Sequence, residues 1–104
     1  MNNTTKSGFG IRDLIGDQRE QVLQLAARYK AYNVRVFGSV ARGEARADSD
    51  IDFLVDFQPG YKLRDQIGLT VKLRELLGRP VDVAVAKNLR DEFRADILQD
   101  ATPL

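Results

Sequence analysis

Two aspartates one residue apart, Asp50 and Asp52, open an apolar run, and a Gly-Ser pair, Gly38-Ser39, closes the apolar run before it. Glycine lets a backbone approach a ligand closely, and the free N–H groups of a helix start favour phosphate oxygens. Ser39 adds a hydroxyl, and Arg42 adds a fork of donors suited to phosphate. Alternate positions of a strand face one side, which puts the Cα atoms of residues 50 and 52 roughly 6.6 Å apart. Both carboxylates then reach cations spaced about 3.5 to 4 Å. A third, Asp82, interrupts the run "VDVAVA" on its polar phase. If the two strands are neighbours, three carboxylates share a face, and they repel unless a cation sits among them. Together these residues suit a nucleoside triphosphate and its metal ions.

Each piece alone has a plainer explanation. Gly-Ser serves as a strand-to-helix turn with a serine cap. With 11 aspartates in 104 residues an Asp-x-Asp pair is unremarkable. Asp82 fits an edge strand with one side in water. Two rival motifs fail. "GSVARGEA" has the glycine spacing of a P-loop but Glu44-Ala45 where Lys-Ser/Thr is required. "DSDIDF" begins like a calcium loop, yet Phe53 and Pro59 stand where glycine and glutamate are needed.

The chain has no histidine and no cysteine. Ser-His and Cys-His catalysis, histidine or thiolate zinc sites and a disulfide framework are therefore excluded. Chemistry falls to carboxylates, hydroxyls, Lys/Arg and backbone dipoles, with a hard cation such as Mg²⁺ if a metal is used. A net charge of +1, from 16 basic and 15 acidic residues, argues against direct, sequence-independent nucleic-acid binding. No apolar run nears the roughly 18 to 20 residues of a membrane span, and no signal peptide opens the chain, so the expected compartment is the cytoplasm.

The elements that must position these residues alternate. Residues 17–31 carry Val22, Leu25, Ala26 and Tyr29 at helical spacing, with Asp17 and Glu20 as a capping box. Residues 33–37 read as a strand ending at Gly38, and 51–57 as a second, with apolar residues at every odd position. A Pro-Gly turn at 58–61 leads into a helix over 62–77 that Gly78 stops. Pro80 opens a third strand, and Asn88 is expected to cap a last helix containing Leu89, Phe93 and Ile97. The fold class is α+β, a small mixed β-sheet flanked by helices. Residues 1–16 are taken as an N-terminal segment, partly flexible and poorly ordered at its polar start, and 17–104 as one domain. Phe9, Ile11, Leu14 and Ile15 are expected to pack against that domain.

The stretch "GSVARGEARADSDIDFLV" resembles the signature of the nucleotidyltransferase (DNA polymerase β-like) superfamily: Gly-Ser, a spacer, Asp-x-Asp, and a third carboxylate on a later strand. Its form, with Gly38, Ser39, Arg42, Gly43, Ser49, Asp50 and Asp52, is similar to the minimal nucleotidyltransferases (MNT). The resemblance implies the nucleotidyltransferase fold, with Gly38 and Ser39 holding the triphosphate and Arg42 assisting or bracing that loop. It implies that Asp50, Asp52 and Asp82 are the catalytic residues and bind magnesium, two ions, with Asp82 near the acceptor hydroxyl. The implied reaction is transfer of AMP from ATP to a hydroxyl.

The chain ends soon after its last expected strand and is expected to lack its own acceptor platform. MNT proteins are typically paired with HEPN-type ribonuclease toxins, and the resemblance implies an antitoxin that AMPylates a tyrosine of such a partner within a hetero-oligomer. A non-catalytic antitoxin that blocks the toxin by complex formation stays open beside it. Transfer to a small-molecule hydroxyl, such as an aminoglycoside's, is a third and weaker option.

Overall fold

The computed structural model describes residues 8–104, and the poor order expected at the polar start of the chain falls on residues outside these. A short helix α1 (Ile11–Leu14) and a 3-10 turn (Gly16–Gln18) lead into α2 (Arg19–Arg28). Strand β1 (Ala31–Phe37), helix α3 (Gly38–Ala41) and strand β2 (Ile51–Phe57) follow, then α4 (Leu63–Leu77) and β3 (Val81–Val85). A 3-10 turn (Ala86–Asn88), helix α5 (Asp91–Asp100) and strand β4 (Thr102–Pro103) close the chain. No helix among the described residues is long and apolar enough to cross a membrane.

The four strands form one mixed sheet in the order β3-β2-β1-β4. β2 lies antiparallel to β1 and parallel to β3, with Asp52 paired to Asp82 across the parallel pair. A parallel pairing needs a crossover, and α4 supplies it. α2 packs on β1, α4 on β3, and the two helices on each other. Gly68 is the seat of that contact: a Cβ there would stand 2.5 Å from Tyr29 Cε1.

The core explains why the site faces where it does. Ile51, Phe53 and Val55 of β2 and Val81 of β3 are sealed with Val22, Val36, Leu69 and Leu73. Each such side chain contributes about 1.5–3 kcal/mol by leaving water. A slip of one residue would turn this row outward and drive Asp52 and Asp82 into the core. Burial of the odd positions thus holds the even ones on the other face. Leu54, on that other phase, is also fully buried but lies outside the main cluster.

Three local expectations are corrected. Asp17 lies in a 3-10 turn, the residue before α2 is Gln18, and no side-chain cap forms there. α2 also ends at Arg28, because Lys30 turns at φ 71° and Ala31 already pairs with Phe57. Asn88 ends a 3-10 turn, and extended backbone at Leu89 and Arg90 postpones α5 to Asp91. Strand β4 had no local signal; it exists through pairing with β1 and the Leu104 N–H donated to Val34 O at 3.1 Å. At the other end Ile15 is buried in the core, and Phe9 exchanges backbone hydrogen bonds with Ala45 at 2.7 and 3.1 Å.

Candidate active site

Phe37 pairs with Asp52, so the end of β1, the start of α3 and the head of β2 meet at one place. Gly38 turns there at φ 74°, a region costly for any residue with a Cβ. A methyl group added to it would stand 2.7 Å from Asp52 Oδ2. Glycine is needed at position 38 for two reasons: the turn itself and the carboxylate lying against it. Ser39 follows in α3, with its carbonyl accepting the Glu44 N–H at 2.9 Å and its hydroxyl unbonded among the described residues.

Asp52 is half-buried, and no hydrogen bond or ion pair among the described residues reaches it. Its carboxyl is pushed up to about 6. Loss of solvent is the main cause, followed by the negative charges of Asp82 and then Asp50. Asp82 is exposed on β3 in register with Asp52, and neighbouring residues in register point the same way. Asp50 is exposed and stands one residue before β2 begins, at the end of a loop. The structure therefore brings all three aspartates to one neighbourhood, two on the sheet and one on its approach.

That approach loop is fastened by groups the sequence did not single out for the purpose. Ser49 Oγ accepts the Arg46 N–H at 2.7 Å. Arg79 Nη1 donates to the carbonyls of Ala47 and Ser49, at 2.9 and 3.3 Å. Arg42 is similarly committed: Nε donates to Glu44 at 3.0 Å and Nη1 to Asp100 at 2.5 Å. These acceptors hold its guanidinium pKa above the ordinary value, through the hydrogen bond to Glu44 first and then that to Asp100. Arg42 thus ties the loop after α3 to the last turn of α5. Neither Arg79 nor Asp100 had a signal in the sequence, since each acts across 30 residues or more.

The residues fit a divalent cation by their chemistry. All three donors are carboxylates, as hard cations prefer, and the raised Asp52 pKa marks negative charge that a cation would relieve. Among the described residues no group of three or more such side chains is placed to hold a metal ion by itself. Mg²⁺, which keeps waters and takes one or two carboxylates plus substrate phosphates, would then draw part of its ligands from the nucleotide. Of the surface depressions, one between α1, α2 and the C-terminal strand contains none of Asp50, Asp52 and Asp82, whereas a groove along α4 is bordered by Asp82.

A family model described as nucleotidyltransferase domain matches residues 18–104. The chain is 38% identical over 77 residues to the protein adenylyltransferase MntA of Thermococcus cleftensis, covering 74% of this chain and 78% of that protein. A solved structure described as a candidate minimal nucleotidyltransferase superposes with a TM-score of 0.76 at 50% identity, over 84% of this chain and 89% of that one. A toxin–antitoxin complex solved with AMP-PNP matches with a TM-score of 0.70 over 81% of this chain and 69% of that one. At 20% identity that last likeness speaks for the fold alone.

Proposed function

The chain belongs to the nucleotidyltransferase domain family, and on that premise we propose that it transfers AMP from ATP to a tyrosine hydroxyl of a HEPN-type toxin, acting as its antitoxin. The observation that carries this reading is the Asp52 carboxylate, which no cation or donor of the described chain offsets, beside Gly38 and facing Asp82 and Asp50. A fold tolerates such a charge only at a cost, and sites that bind ions or do chemistry are where that cost is met. The adenylyltransferase name of the Thermococcus relative supports AMP as the group transferred.

In this mechanism the acceptor oxygen forms a bond to the α-phosphorus while the bond to the pyrophosphate oxygen breaks. The hydroxyl proton passes to the Asp82 carboxylate on the acceptor side, which raises the nucleophilicity of the attacking oxygen. Gly38 and Ser39 hold the triphosphate by backbone N–H and hydroxyl donors. Arg42 braces their loop through Glu44 and Asp100 rather than reaching for phosphate. Asp50, Asp52 and Asp82 would hold magnesium, whose charge stabilises the phosphates and the leaving pyrophosphate.

The test is transfer itself. With magnesium and ATP labelled in the α-phosphate, the toxin partner should gain label on tyrosine, and Asp52→Ala should abolish labelling while the two proteins still form a complex. Full neutralisation of the toxin by Asp52→Ala at equal expression would assign the antitoxin effect to complex formation instead.

A further inference from the structure

Of the three candidate metal-binding aspartates, Asp52 and Asp82 sit within strands, whereas Asp50 stands one residue before β2. Its place therefore depends on the loop that delivers it. Arg46, Ala47 and Asp48 are all exposed, so burial of side chains does not fix that loop. It is a tight turn closed on itself. Ser49 N–H donates to Arg46 O at 3.0 Å, and Arg46 N–H donates to Ser49 Oγ at 2.7 Å. These bonds give the turn a shape but do not orient it toward the sheet.

Orientation comes from two adjacent residues just ahead of β3. Arg79 Nη1 donates to Ala47 O at 2.9 Å and to Ser49 O at 3.3 Å. Pro80 O accepts the Ile51 N–H at 3.0 Å. A peptide unit is planar, so Ser49 O lies in the plane that ends at Asp50 Cα, and Ile51 N–H in the plane that starts there. Arg79 thus holds one of the two planes flanking Asp50, and Pro80 holds the other. The dihedral angles of Asp50 are fixed between them. Asp82 follows three residues after Arg79, in register with Asp52. One short segment, 79–82, therefore both carries Asp82 and sets where Asp50 stands relative to it.

The acceptors that Arg79 uses matter as much as its position. Both bonds end on backbone carbonyls, and among the described residues no ion pair joins Arg79 to Asp48, Asp50 or Asp82. A guanidinium paired directly with Asp50 would compete with a cation for its oxygens. One bonded to the backbone orients the carboxylate and leaves its oxygens open to a metal.

We infer that Arg79 is a positioning residue for the metal site, holding loop 46–50 so that the Asp50 carboxylate shares cations with its neighbours on the sheet. This rests on the reading of Asp50 as a magnesium ligand, which Asp50→Asn tests by itself. Arg79→Met keeps most of the stem and removes the donors. In calorimetry of ATP binding with and without magnesium, it should lose about ten-fold in the magnesium-dependent affinity and little in the rest. Both bonds leave one nitrogen, so the ammonium of Arg79→Lys should restore most of the loss. Amide hydrogen exchange over residues 46–51 should quicken in Arg79→Met and return toward the parent in Arg79→Lys. Because Arg79 acts through Asp50, Arg79→Met/Asp50→Asn should bind magnesium-ATP no more weakly than Asp50→Asn alone.

Parent-like magnesium-ATP affinity in Arg79→Met, beside a loss in Asp50→Asn, would overturn the inference and leave the metal reading of Asp50 standing. Losses that add in the double variant would also overturn it, since Arg79 would then act on the whole fold or on the nucleotide directly. Parent-like affinity in Asp50→Asn would remove the metal reading of Asp50, and the inference with it.

Discussion

β2 carries two aspartates on the same phase of one strand, Asp52 near its head and Asp56 near its foot. Asp56 has two partners on one carboxylate oxygen. Asn33 Nδ2 donates to Asp56 Oδ2 at 2.8 Å, and the Arg35 guanidinium lies 3.5 Å from the same oxygen. Arg35 in turn donates from Nε to Asn33 O at 3.0 Å, across a bulge where Asn33 adopts φ 52°. Asp52 faces the bare Cα of Gly38 and two other carboxylates. The same residue type on the same strand is a structural tie at one end and an unsatisfied charge at the other. The local neighbours, rather than the strand, separate a structural carboxylate from one held ready for a ligand.

The sharpest division comes from removing each carboxylate. Asp52→Ala should lower nucleotidyl transfer by about two to three orders of magnitude, the loss of several kcal/mol of charge stabilisation, with Tm unchanged or higher. Asp56→Ala should do the reverse, keeping transfer within about three-fold and costing about 1–3 kcal/mol of stability because Arg35 loses its charged partner. Equal effects of both on Tm, measured by thermal melts, would erase the distinction. Gly38→Ala should come next. Its Cβ displaces the Asp52 carboxylate, and a misplacement near 1 Å costs on the order of 10²-fold in rate. The forced left-handed backbone adds about 1–2 kcal/mol of destabilisation.

A smaller effect separates the two ends by pH. The Asp52 pKa of about 6 lies above the 3.8 of the free side chain, so the folded protein holds this proton more tightly than the unfolded chain does. Stability owed to this group is complete below about pH 4 and is lost as pH rises through about 6. Asp52→Asn should flatten the fall of Tm across that interval. Magnesium affinity should rise over the same range, as Asp52 ionises. The smallest effect belongs to Asp100→Asn, which loosens the tie to Arg42. An exposed pair contributes little, so KM for ATP should rise by only a few-fold at constant kcat.

Much of this molecule follows from its letters. The alternation from Ile51 to Phe57 marks β2 at both ends, and Gly78, at φ 65°, stops α4 where expected. Gly38-Ser39 turns from strand into helix as its residue types require. All of these signals lie within a few residues of what they determine, because backbone conformation and side-chain phase are local properties. The capping assigned to Asp17 and to Asn88 failed because each lies in a 3-10 turn, and the helices begin only at Arg19 and Asp91.

Tertiary structure alone decided the rest. The register that sets Asp82 beside Asp52, the pairing of Thr102–Pro103 with β1, and the tie from Arg42 to Asp100 join residues 30 to 68 positions apart. Apolar neighbours do not tell the charge of Asp52 from that of Asp56, since each stands between two of them; only the spacing to Asp50 marks the first. Their difference arises only when Arg35 and Asn33 fold over one and Gly38 and Asp82 close around the other. Coulomb energy and desolvation depend on distances through space, and those exist only after the chain has folded.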